Sequence, residues 1–111
     1  SRKYLEAIEG FNDYLSKNPE AEFSDNSQYW LGEAYYVLQD YGEAIQQYKR
    51  LIEEFPNSKK SSHAMLKIGY CHEKLGSVTK AVETLSELQE LFPNSAAARL
   101  GRAKIEKLRS N

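Results

Sequence analysis

One cysteine, Cys71, stands in a chain of 111 residues, so no internal disulfide framework exists, although a lone thiol names no compartment. Apolar residues never run on for about 18 positions, and the opening Ser1-Arg2-Lys3-Tyr4 has no apolar signal core. The expectation is a stretch that neither inserts directly into a membrane nor carries its own export signal, as an excised fragment would. Proline is scarce too, at three residues, and so is an excess of charge of either sign, with 15 Lys plus Arg against 16 Asp plus Glu. With 41% hydrophobic and 28% charged residues the chain has the makings of one globular domain. A domain of this size buries roughly two-thirds of its unfolded surface.

The near-zero balance hides an asymmetry. Residues 1 to 58 carry 5 basic and 11 acidic side chains, and residues 59 to 111 carry 10 basic and 5 acidic, so the halves stand at −6 and +5. A nucleic-acid binder concentrates positive charge without an acidic counterpart of equal weight, so no nucleic acid is expected. Charge polarity of this kind suits a protein partner, or head-to-tail contacts between copies.

The three prolines fall on one period: Pro19, Pro56 and Pro93 are spaced by 37 and 37. Phe55-Pro56-Asn57-Ser58 returns as Phe92-Pro93-Asn94-Ser95, with a weaker Asn18-Pro19 before them. The same shift superposes Ala7, Ala44 and Ala81; Ile8, Ile45 and Val82; Phe11, Tyr48 and Leu85; Tyr4, Tyr41 and Val78; and Gly32 on Gly69. A repeat of this length is one supersecondary unit.

Within each period the apolar spacing is helical. Tyr4, Ala7, Ile8, Phe11 and Leu15 form one stripe, repeated from Tyr41 to Ile52 and again from Val78 to Leu85. Between them lies a second kind of helix, in which Leu31, Ala34, Tyr35 and Leu38 match Ile68, Cys71, His72 and Leu75 on a buried face. A last helix, about residues 96 to 109, supplies Ile105 and Leu108. The expectation is all-α, with about six antiparallel helices. Its divisions are the second helix of a truncated repeat (1–19), two repeats (20–56 and 57–93) and a capping helix (94–111). Asp40 and Gly76-Ser77 punctuate the turn within each pair, and each Pro closes a pair because it lacks an amide proton. Asn57-Ser58 and Asn94-Ser95 offer side-chain oxygens to cap the next helix.

The series Leu31, Gly32, Tyr35, Ala44, Tyr48, Pro56, followed by Ile68, Gly69, His72, Ala81, Leu85, Pro93, resembles the tetratricopeptide repeat (TPR). That resemblance implies a right-handed solenoid, with a period of 37 in place of the usual 34. A narrower likeness rests on Phe23-Ser24-Asp25-Asn26-Ser27-Gln28-Tyr29-Trp30-Leu31-Gly32-Glu33-Ala34-Tyr35-Tyr36. It continues through Tyr41-Gly42-Glu43-Ala44, Ala64-Met65-Leu66-Lys67-Ile68-Gly69 and the Phe-Pro-Asn-Ser closures. These segments are similar to the C-terminal TPR domain of the YbgF/CpoB family of the bacterial Tol-Pal system. The resemblance implies a periplasmic domain that binds TolA and coordinates peptidoglycan synthesis with outer-membrane constriction in cell division, with a peptidoglycan synthase as a further partner. It also implies an upstream export signal and a trimerising coiled coil. The alternatives are a scaffold of the outer-membrane β-barrel assembly type (BamD-like), or an accessory repeat domain of a larger envelope enzyme. Because the chain opens on the second helix of a pair, the stripe of Tyr4, Ile8, Phe11 and Leu15 is expected to lie uncovered and to favour self-association.

Catalytic signatures fail in turn. Gly32 and Gly69 stand singly in helical context, with no phosphate loop around them. Cys71 and His72, as adjacent helical residues, point about 100° apart and belong to the buried stripe. His63 is eight or nine residues from them, over about 12 Å along a helix. Glu53, Glu54, Glu87 and Glu90 read as solvated surface. No enzyme activity, cofactor or metal is expected.

A binding surface is expected instead. The first helix of each TPR pair lines a concave groove. Subtracting the buried stripe leaves Asn26, Tyr29, Trp30, Glu33, Tyr36 and Val37 from one helix, then His63, Lys67, Tyr70, Glu73 and Lys74 from the next, with Lys104 and Lys107 from the capping helix. Tyr29, Trp30, Tyr36 and Tyr70 are the candidate hot spots, being of the aromatic class that dominates interface energetics. TPR domains that clamp a chaperone's C-terminal carboxylate use Lys and Asn where this chain has Tyr29 and Glu33. The expected ligand is therefore a peptide or helix with basic and apolar groups, its apolar side chains on Trp30 and Tyr36 and its charge on Glu33.

Overall fold

A computed structural model describes residues 2–18 and 24–110. Pro19 and Phe23, which carry parts of the repeat pattern and of the family likeness, lie outside the described residues. Among the described residues there are six helices and no strand: α1 (Arg2–Lys17), α2 (Asp25–Val37), α3 (Tyr41–Glu54), α4 (Ser61–Lys74), α5 (Val78–Leu91) and α6 (Ala96–Arg109).

Local chemistry sets most of the boundaries. Ser24, Asp40 and Ser95 each accept a hydrogen bond from the backbone N–H three residues on, capping α2, α3 and α6. Inside the pairs the chain reverses through a left-handed residue, Gln39 at φ 62° and Gly76 at φ 83°, and the N–H groups of Asp40 and Ser77 reach back to the carbonyls of Tyr35 and His72. At the end of α3 and of α5, Phe55 and Phe92 leave the helical region with φ −130° and −134° just before Pro56 and Pro93.

One expected cap is absent. Helix α4 starts from Lys60 with no side-chain cap. Ser58 accepts instead from the Lys60 N–H, while its hydroxyl donates to Asp25 at 2.5 Å, tying the interrepeat loop to the first turn of α2. That hydroxyl holds the Asp25 carboxyl below the usual carboxylate range.

Each helix packs on its neighbours in sequence, and α4 also touches α2 and α6. The core is continuous across the repeats: Ala44, Tyr48 and Leu51 of α3 meet Ala64, Ile68 and Cys71 of α4, and Leu85 and Leu88 of α5 meet Ala97, Ala98 and Ile105 of α6. The two repeats close up through glycine. A Cβ on Gly32 would run into the buried Tyr48 ring, and one on Gly69 would lie 2.5 Å from a Leu85 methyl.

Helix α1 has α2 as its only helical neighbour among the described residues. Of its stripe only Ile8 is buried, at 3%, while Tyr4 is 38% exposed and Ala7 is exposed where Ala44 and Ala81 are fully covered. Three further residues of the expected stripes are not buried. Leu75 is 54% exposed and Val78 47% exposed because both flank the turn between α4 and α5, where no helix covers them. His72 is only half-buried, so it leaves the buried stripe that its neighbour Cys71 occupies.

Candidate protein-binding groove

Helices α2, α4 and α6 carry the side chains that the sequence assigns to the groove. Successive helices in the stack run antiparallel, so these alternate ones are parallel and their matching positions lie side by side. The 37-residue shift places Lys67 and Lys104 at the position of Trp30. Each lysine reaches the preceding groove helix and meets one carboxylate and one phenol ring. Lys67 Nζ lies 3.4 Å from Glu33 and 4.5 Å from the centre of the Tyr36 ring, and Lys104 Nζ lies 2.9 Å from Glu73 and 5.2 Å from the centre of the Tyr70 ring. Glutamate and tyrosine change places between the two pairs, because Glu33 corresponds to Tyr70 and Tyr36 to Glu73. The ammonium group is thus held by an ion pair and a ring face in both. With side chains 25% to 35% exposed, each pair contributes about 1 kcal/mol or less.

Glu33 has a second commitment. The hydroxyl of Tyr48, a fully buried residue of α3, donates to its Oε1. Burial first, and then this hydrogen bond, push the Tyr48 phenol far above its ordinary value. Tyr48 and Lys67 both reach Glu33 Oε1, so that oxygen of the acid expected to receive a basic ligand is already engaged.

The aromatic candidates divide as well. Tyr29 is half-buried, tilted against Tyr48 with ring centres 5.8 Å apart and with Lys60 Nζ 5.1 Å above it, and burial pushes its phenol up to about 12. Trp30, 37% exposed, stands edge-on to Phe11 of α1 at 6.2 Å, so its ring belongs to the α1–α2 contact. Tyr36 stands edge-on to Tyr41 at 5.3 Å and still faces the groove. Asn26 and His63 are exposed near the starts of α2 and α4, away from the cavity described next.

Six of the expected residues do come together. Tyr36 from α2, Tyr70, Glu73 and Lys74 from α4, and Lys104 and Lys107 from α6 line one open cavity of about 690 Å³. Leu100 and Ala103 complete it, and neither was expected. Leu100 falls on the position that Asn26 and His63 fill in the two earlier groove helices, and an apolar side chain at a polar register was the signal for it. Burial raises the phenols of Tyr36 and Tyr70, so both are hydrogen-bond donors at neutral pH. Glu73 and Lys104 neutralise each other, while Lys74 and Lys107 form no ion pair among the described residues.

The thiol–imidazole neighbours do not make a nucleophile. Cys71 is fully buried, and burial pushes its thiol up to about 12, so it is protonated at neutral pH. Burial and the cations Lys49 and Lys80 lower His72. Among the described residues no cluster of three metal-ligating side chains occurs.

A family model for the tetratricopeptide repeat matches residues 26–58 and 63–95. Together these stretches take in more than half of the chain, and each encloses one groove helix with its partner, so the chain belongs to the TPR family. Domains of this family characteristically act as protein–protein interaction scaffolds rather than as catalysts. No curated protein matches the chain.

Proposed function

We propose that this chain is the TPR domain of a YbgF/CpoB-type envelope protein, working in the periplasm and receiving TolA in the groove formed by α2, α4 and α6. The observation that carries the reading is the open cavity of about 690 Å³, in which Tyr36, Tyr70 and Leu100 give apolar surface and lysines give charge. Such a lining holds a protein segment by a few anchors set in a polar rim. The Tyr29-Trp30-Leu31-Gly32-Glu33 block and the paired Phe-Pro-Asn-Ser closures support the family assignment. In that role the domain couples the Tol-Pal system, and through it a peptidoglycan synthase, to outer-membrane constriction at division.

The test is calorimetric titration of purified periplasmic TolA segments into the domain. Saturable heat that drops in Tyr70→Ala and in Leu100→Ser, while the thermal melt of each variant holds, supports the reading. No heat with any TolA segment overturns TolA as the partner. Calorimetry suits this test better than the fluorescence of Trp30, the only tryptophan, because that ring packs on α1 and not in the cavity.

A further inference from the structure

We infer that the α6 end of the groove takes an acidic segment of the partner protein, one in which a carboxylate follows or precedes an aliphatic side chain at about three residues. The inference rests on the groove reading and names the chemistry of its occupant.

Leu100, Ala103, Lys104 and Lys107 fall at i, i+3, i+4 and i+7 of α6 and so share one face of the helix, with the apolar pair toward its start and the charge toward its end. Lys74, the last residue of α4, lines the same cavity, and because α4 and α6 run parallel it stands at the end that holds Lys107. The four charged side chains of the cavity are Glu73, Lys74, Lys104 and Lys107, and the 2.9 Å contact uses up Glu73 and Lys104. Two ammonium groups are left over, beside two phenol donors and no free carboxylate. Leu100, 52% exposed, supplies the apolar seat. From Leu100 to Lys107 is about 10 Å at 1.5 Å per residue, a span that an extended peptide crosses in about three residues. The occupant therefore seats an aliphatic side chain on Leu100 and Ala103 and lays its carboxylate between Lys74 and Lys107. This polarity is opposite to the basic ligand expected from Glu33, which is already engaged by Tyr48 and Lys67.

The test uses three short peptides, acetylated and amidated so that no terminal charge intervenes. They share a leucine pair and differ about three residues further on, where they carry glutamates, glutamines or lysines. Each is titrated into the isotope-labelled chain, with the NMR signals of Leu100 and Ala103 as readout. The glutamate peptide is expected to move both signals and to bind roughly fivefold to tenfold tighter than the glutamine peptide at low salt, with the gap closing as salt is raised. Lys74→Gln with Lys107→Gln, both exposed and without an ion pair among the described residues, is expected to erase the preference and leave the melt unchanged. Equal binding by all three peptides, binding by none, shifts confined to other helices, or a preference that survives the double substitution each overturns the inference. In the first case the two lysines merely complement the C-termini of α4 and α6. Heat from TolA without glutamate preference would sink the acidic segment and spare the groove, whereas glutamate preference without TolA heat would sink TolA as the partner and spare both the groove and the acidic segment.

Discussion

The two complete repeats, α2–α3 and α4–α5, share a period and a glycine-mediated closure but fill the space between their helices with different chemistry. In the first, the Tyr48 phenol lies under Gly32 and donates to Glu33, while Gln28, fully buried, donates to the Gln47 carbonyl and side chain, and Gln47 donates in turn to Glu43. In the second, Leu85 lies under Gly69, and Met65 stands where the first repeat has Gln28. One backbone arrangement thus accepts a polar seam or an apolar one, provided the glycine remains. What closes a repeat is the room at Gly32 and Gly69; what distinguishes one repeat from the other is how the buried polar groups are satisfied.

Five outcomes sharpen that contrast, beginning with the largest. Leu85→Ala empties a fully buried site between α4, α5 and α6 and is expected to cost about 2–5 kcal/mol in a denaturant melt. Next is alkaline stability. Cys71 has a folded pKa of about 12 against an ordinary 9.0, so its contribution is complete below pH 9 and is lost as the pH rises toward 12, since the unfolded chain ionises first. Tyr48, raised in the same direction, adds to this loss above pH 10. Replacing Cys71 by alanine, the residue at the matching position Ala34, should flatten the decline in a pH series of melts.

The glycines come third. Gly32→Ala and Gly69→Ala each set a Cβ against a buried side chain, and overpacking outweighs the gain in helix propensity by about 1–2 kcal/mol. The stiff Tyr48 ring yields less than the rotatable Leu85 methyls, so Gly32→Ala is the costlier change. An equal cost for the two would contradict the different fillings described above.

Fourth, the turns invite an exchange. Gln39 occupies the left-handed region that Gly76 occupies one period later. Gln39→Gly should stabilise, and Gly76→Ala destabilise, each by about 0.5–1 kcal/mol in thermal melts. The smallest effect belongs to Gln28→Met, which copies Met65 into the first repeat. The Gln28 Oε1 accepts no hydrogen bond, so the substitution removes an unmet acceptor along with two donated bonds and should fall within about 1 kcal/mol of neutral. A loss well beyond that would make the polar seam a source of stability rather than a tolerated variant.

The fold was legible in the sequence because its determinants are local and recur. Pro56 and Pro93 stop helices by their own covalent chemistry, Asp40 and Ser95 cap helices within three residues, and Gly32 and Gly69 repeat at the period of the family. The groove was legible only as a face. Tyr36, Tyr70, Glu73, Lys74, Lys104 and Lys107 line one cavity, because helical register assigns them a common side. Register could not assign partners. Glu33 reads as a free acid although Tyr48 and Lys67 share its Oε1, Trp30 is exposed as expected yet stands edge-on to Phe11, and Leu100 occupies a position that is polar in both earlier helices.

The amino-acid sequence by itself determined six helices, a 37-residue repeat, membership of the TPR family and a chain with acidic and basic halves. These follow from interactions spanning a turn of helix or a single loop, and the residues that make them are neighbours in the chain. Only the tertiary structure decided that Lys67 neutralises Glu33 and Lys104 neutralises Glu73, that Tyr48 reaches the same Glu33 oxygen, and that two lysines beside Leu100 have no ion pair among the described residues. Charge compensation acts across a few ångströms between helices more than thirty residues apart, and that distance is set by the packing of Gly32 on Tyr48 and of Gly69 on Leu85.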